Sequence, residues 1–91
     1  MTVKSHMFRG KRYRLVLDAK FRDDTKGEAD APTIPKRAIR IREGLRGLML
    51  LDTLIHEGLH ASMWDVDDEA VGETAAAISR LLWRLGYRRK L

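Results

Sequence analysis

Leu45-Arg-Gly-Leu-Met-Leu-Leu-Asp-Thr-Leu-Ile-His-Glu-Gly-Leu-His-Ala-Ser-Met63 is the stretch from which the rest of the chain is read. Leu48, Leu51, Ile55 and Leu59 recur at intervals of three and four, which predicts one apolar face of a helix running roughly from Leu45 to Met63. His56 and His60 lie four residues apart, so in a helix they stack on the same face and both imidazoles can reach one cation. Glu57 is one residue on, beside that face. A pair of uncompensated imidazoles next to a strongly apolar stripe costs stability, so a shared metal ion is the better account of the pair.

On the C-terminal side, Trp64-Asp-Val-Asp-Asp68 breaks the periodicity and supplies Asp65 or Asp67 as an N-cap. A second helix is expected to follow to about Leu85, with the stripe Val71, Ala75, Ile78, Leu82 and Leu85, stopped by Gly86. So short a break predicts a tight helical hairpin. On the N-terminal side, Lys11–Ala19 alternates, with Tyr13, Leu15 and Leu17 on one face and Arg12, Arg14 and Asp18 on the other. Ala38–Arg42 alternates again, with Ile39 and Ile41 opposite Arg40 and Arg42. Residues 20–35 between them, rich in charge and carrying Pro32 and Pro35, read as a long loop. The expected fold is therefore α+β: one small domain over residues 1–91, β-rich over 11–43 with a loop at 20–35, and a helical hairpin over 44–91 packed on a short sheet. His6 falls in what reads as a frayed terminus.

Ninety-one residues leave room for one modest core, to which a metal staple would be a natural addition. There is no cysteine, which excludes disulfides, thiolate zinc sites, iron–sulfur clusters and cysteine nucleophiles. Any metal must be held by His, Asp or Glu. Eighteen Lys and Arg against thirteen Asp and Glu give a net charge of +5. The basic clusters are Arg12 and Arg14, Arg40 and Arg42, and Arg88-Arg89-Lys90. They read as solvated strand faces and a tail, with nucleic acid or an acidic partner admitted but not favoured. Trp64 and Trp83 read as packing residues at the two ends of the second helix. Residues 1–10 lack the apolar stretch of a signal peptide and no apolar run is long enough to span a bilayer, so a soluble cytoplasmic protein without membrane contact is expected.

His-Glu-x-x-His on a helix is the arrangement of zinc peptidases, in which the carboxylate accepts the proton of a metal-activated water and passes it to the leaving amine. A catalytic zinc needs a third protein ligand, and Asp67, Asp68, Glu69 and Glu73 on the second helix are the candidates. The midpoint of the histidine pair lies about 7–8 Å before the end of the first helix at 1.5 Å per residue. The same distance back along an antiparallel partner arrives near residue 72, and the lean of helical side chains toward the N-terminus favours Glu73. Glu69, one turn earlier, is then an alternative ligand or a hydrogen-bond acceptor supporting an imidazole. Asp52, one turn before His56, is a further supporting candidate. Asp67 and Asp68 fit an acidic first helical turn.

The segment Leu51–Arg88 resembles the very small zincin-like metallopeptidases of phages and prophages. It is more distantly similar to minimal gluzincins and to the metallopeptidases that cleave phage-type repressors. The resemblance implies one zinc per chain held by His56, His60 and a glutamate of the following helix, with Glu57 as general base. In the repressor-cleaving group that glutamate precedes a Leu-Leu pair by eight and nine residues, as Glu73 precedes Leu81-Leu82. It implies a peptide or protein substrate lying along an edge strand near residues 37–42, in the host cytoplasm or with the virion. The Asn that often precedes the ligand glutamate is absent, and Tyr87, Tyr13 and Arg80 are the available oxyanion-stabilising candidates. The rival reading is a non-catalytic, zinc-stapled virion or interaction protein with a phage structural partner.

Overall fold

The computed structural model describes residues 3–89 and is built as a four-stranded sheet followed by two helices. The strands are β1 (Ser5–Phe8), β2 (Lys11–Ala19), β3 (Gly27–Ala29) and β4 (Ala38–Arg42), and the helices are α1 (Gly47–Ser62) and α2 (Asp68–Arg84). The α+β class and the alternation of β2 and β4 match the sequence expectation. Two strands do not. β1 pairs antiparallel with β2, so His6 stands opposite Tyr13 in a sheet rather than in a frayed end. The hairpin closes through Arg9 and Gly10, whose φ values of 46° and 79° are the positive pair that a two-residue turn between twisted strands requires. An arginine in the first of these positions hides the turn from a reading that looks for Asn-Gly or Asp-Gly. β3 interrupts the 20–35 loop, three residues too few to show an alternation.

The sheet order is β1-β2-β4-β3, with β2 and β4 parallel and both outer pairs antiparallel. β4 is therefore an inner strand, hydrogen-bonded on both sides, and this corrects the expectation that residues 37–42 form the edge. The edges are β1 and β3.

α1 lies across one face of the sheet, touching β1, β3 and β4, whereas α2 packs on α1 and reaches no strand. The layers are thus sheet, α1, α2, and not a hairpin laid flat on the sheet. The core beneath α1 is Tyr13, Ile39, Ile41, Leu50 and Ala61, closed off by Phe8, Leu15, Leu17, Leu45 and Leu54. Each fully buried aliphatic side chain there contributes about 1.5–3 kcal/mol. The Tyr13 hydroxyl, buried with them, donates to the Asp30 carbonyl at 3.0 Å and so leaves no orphan donor.

α2 starts where Asp67 accepts from the Ala70 amide at 2.8 Å, and Gly86, at φ 94°, follows its last turn. Its buried stripe is Val71, Ala75 and Ser79. Ile78 and Leu85, expected in that stripe, are 38% and 65% exposed because only one side of the helix is covered. No helix among the described residues is long and apolar enough to cross a membrane. Lys90, the last member of the basic tail, lies outside the described residues.

Candidate metal centre

His56 and His60 sit on consecutive turns of α1 on its flank, between the side facing the sheet and the side facing α2. The Nε2 atoms are 3.1 Å apart and the ring centroids 4.8 Å apart. The two nitrogens are within hydrogen-bonding distance of each other. Two tetrahedral ligands at bond lengths of about 2.0–2.1 Å stand roughly 3.3 Å apart, so the same placement suits a cation between them. Burial and the neighbouring His56 lower the pKa of His60, with Asp68 acting in the opposite direction. The ring is therefore held in the neutral form that metals bind.

Glu57 faces the sheet side of α1 and is only 6% exposed. Burial, with Glu28 and Asp68 adding like charge, pushes its carboxyl from 4.5 up to about 7. A charged group in this position needs a functional account, because a Gln or Leu would fill the space at lower cost. Its packing partner is Gly27 of β3. A Cβ on that glycine would stand 3.1 Å from Glu57 Cγ and 2.9 Å from Thr53 Cγ2, so the absence of a side chain is what lets the edge strand lie against the helix. Thr53 is itself fixed by its hydroxyl donating to the Met49 carbonyl at 2.8 Å.

These groups open onto a cleft of about 660 Å³ lined by Gly27, Glu28 and Ala29 of β3, by His56, Glu57 and His60, and by Trp64, Val66 and Asp68. A smaller hollow adjoins it at Asp24, Lys26, Asp52, Thr53, His56 and Glu57. A more apolar cleft between the start of α1 and the end of α2, walled by Leu50, Leu54, Leu82 and Trp83, carries no histidine or carboxylate.

The carboxylate that reaches the imidazoles is Asp68, the first residue of α2, with Oδ1 3.2 Å from His60 Nε2. Its side chain is 91% exposed. α2 passes His56 at Gly72, where a Cβ would lie 3.9 Å from His56 Cε1. Glu73 is the next residue, about 100° further round the helix, and is exposed to solvent, as is Glu69. Neither forms an ion pair with a histidine among the described residues. No three His, Asp or Glu side chains among the described residues form a complete metal-holding group. Asp52 receives the Ser79 hydroxyl at 3.5 Å, a link between the helices rather than a support for an imidazole. Of the oxyanion candidates, Tyr13 is buried in the core, Tyr87 is 62% exposed and lines the apolar cleft, and Arg80 is exposed on α2. None lines the histidine cleft.

The sequence reading missed β3 as a wall of this cleft and ranked Asp68 below Glu73. Asp68 escaped because it serves equally well as an ordinary acidic residue in a first helical turn. No protein-family model matches the chain, and neither a curated protein nor a solved structure is significantly similar to it.

Proposed function

We propose that the chain is a zinc-dependent peptidase, of the phage or prophage type that the segment Leu51–Arg88 resembles. The observation that carries this reading is the Nε2–Nε2 distance of 3.1 Å beside a buried carboxyl in one open cleft. The donor types suit zinc: two imidazoles, with a carboxylate oxygen 3.2 Å from one of them. His56 and His60 would hold the ion, with the third place taken by Asp68 as it stands, or by Glu73 or Glu69 after a turn of the side chain. Zinc, when bound, supplies a Lewis acid that polarises a peptide carbonyl and makes water acidic near neutrality.

Glu57 does the proton work. Its carboxylate accepts a proton as the water oxygen adds to the carbonyl carbon, and returns it to the departing nitrogen as the C–N bond breaks. The substrate is an extended peptide or protein segment pairing with the edge strand β3, which lines the same cleft as the histidines.

The test combines metal content with cleavage of a mixed peptide library. Wild-type protein should carry one zinc per chain and cleave, and His56→Ala should lose the metal. Glu57→Gln should keep metal and fold while cleavage falls by about 100-fold or more. Undiminished cleavage by Glu57→Gln would remove it as general base. Zinc that is bound without any cleavage, in a chain that unfolds on chelation, would replace the peptidase with the metal-stapled interaction protein. Comparing zinc affinity in Asp68→Asn and Glu73→Gln identifies the third ligand, since only its loss should loosen the ion.

A further inference from the structure

Among the described residues no helix packs on the face of the sheet turned away from α1, and the arginines there fall into two groups. Arg40 is committed to Asp30, with contacts of 3.0 and 3.3 Å, and to Glu28 at 3.5 Å. Arg42 is spent on the carbonyls of Phe21 and Asp23 and on the Phe21 ring. Arg12 and Arg14 have no carboxylate within 4.0 Å among the described residues, and neither have Lys36 and Arg37. These four cations, with Ser5, line one cleft of about 690 Å³.

The backbone gathers them. The β1–β2 register sets Ser5 opposite Arg14, and Arg12 Nη1 donates to the Ser5 hydroxyl at 3.0 Å. The Arg14 amide donates to the Arg37 carbonyl at 3.1 Å, which ties the 36–37 turn to β2. Lys36 is held at φ 53°, a left-handed conformation that L residues adopt at local cost and that tends to persist at binding sites. Arg37 lies over the Tyr13 ring and donates to the Ile34 carbonyl at 3.4 Å, while its Nε is a buried donor with no acceptor. Four like charges converge here, and the nearest carboxylate, Asp30, which feels Arg14, is already held by Arg40 and the Ala38 amide.

We propose that this cleft is a phosphate-binding site for the backbone of a nucleic acid, separate from the histidine centre and independent of its function. Three forked guanidinium groups and an ammonium match phosphate oxygens. Arg12 and Arg14, two residues apart on one strand face, are spaced about 7 Å along the sheet, so more than one phosphate is engaged. Among the described residues its lining is four cations and Ser5, with no aliphatic residue, a composition that suits a polyanion. Nor does any aromatic ring line it, so contact is to the backbone and blind to base sequence.

The test is fluorescence anisotropy of a labelled twelve-nucleotide oligothymidylate titrated with the full chain between 50 and 200 mM NaCl. With four contacts, log K should fall against log salt with a slope of about −2.8. Arg14→Gln and Lys36→Gly should each reduce that slope by about 0.7. Both side chains are exposed, and glycine suits the Lys36 backbone, so the fold is kept. Arg80→Gln with Arg84→Gln, exposed on α2, should leave it unchanged. Equal slopes in all variants would mean diffuse attraction and would overturn the site. Oligonucleotide binding no tighter than that of inorganic phosphate would assign the cleft to free phosphate. Displacement by polyglutamate at lower concentration than by unlabelled oligothymidylate would assign it to an acidic protein.

Discussion

The two helices are nearly equal in length and are built by opposite rules. α2 is covered on one side only, and its three buried positions hold Val71, Ala75 and Ser79. α1 is covered on two sides, by the sheet and by α2, and its buried positions are Leu50, Thr53, Glu57 and Ala61. The helix with more cover thus carries more polar groups inside. The carboxyls of α2 lie off its buried stripe, so Asp68, Glu69 and Glu73 stay solvated. A carboxyl on the sheet side of α1 is removed from water and its proton affinity rises.

That contrast can be broken most directly by truncating one apolar residue of α1 and one at the end of α2. Leu50→Ala should lower unfolding free energy by about 2–5 kcal/mol in urea, because the cavity it leaves is walled by sheet and helix. Leu85→Ala, just past α2, should change it by less than about 0.5 kcal/mol. Comparable losses at the two sites would mean that α2 has a covering this layer order does not provide.

The next effect concerns Glu57 in metal-free protein. Its folded pKa, about 7, lies above the ordinary 4.5. The folded state therefore binds more protons than the unfolded state in that window. The contribution to stability is full below pH 4.5, is lost as pH rises to 7, and is flat above. The rise corresponds to roughly 3 kcal/mol. Glu57→Gln removes the titration, so the stability difference between wild type and variant should change by about that amount between pH 4.5 and 7. A constant difference across the window would show that Glu57 is solvated after all.

Gly27→Ala tests the seam where β3 meets α1. The new methyl group would meet Thr53 and the Arg40 carbonyl at 2.9 and 3.1 Å, so the edge strand must move. A loss of about 1–3 kcal/mol is expected by thermal denaturation. The smallest effect belongs to α2 alone. Asp67→Ala removes the cap on the Ala70 amide and should cost about 1 kcal/mol without altering the α1 core.

Much of this was legible beforehand for identifiable reasons. Period-two alternation in Lys11–Ala19 and Ala38–Arg42 and the four-residue spacing of His56 and His60 are local regularities, and both strands and the helical pair appear where the pattern puts them. β1 and β3 were not legible, because strands of four and three residues are too short to show a period. The stripe Leu48, Leu51, Ile55 and Leu59 marked a real helix, but not its most buried side, since a helix covered twice has no single apolar face. Asp68 could not be preferred over Glu73, because which of two carboxylates five residues apart meets the histidines depends on where the partner helix lies.

The sequence by itself determined the elements that local spacing controls: two helices broken at Trp64–Asp67, two alternating strands, a histidine pair on one helical face and a chain without thiols. Tertiary structure alone decided the order of layers, the inner place of β4, the burial of Glu57 against Gly27, and which cations are neutralised on the open sheet face. Each of these depends on contacts between residues far apart in the chain, and hydrophobic periodicity specifies which side of an element is buried without specifying what buries it.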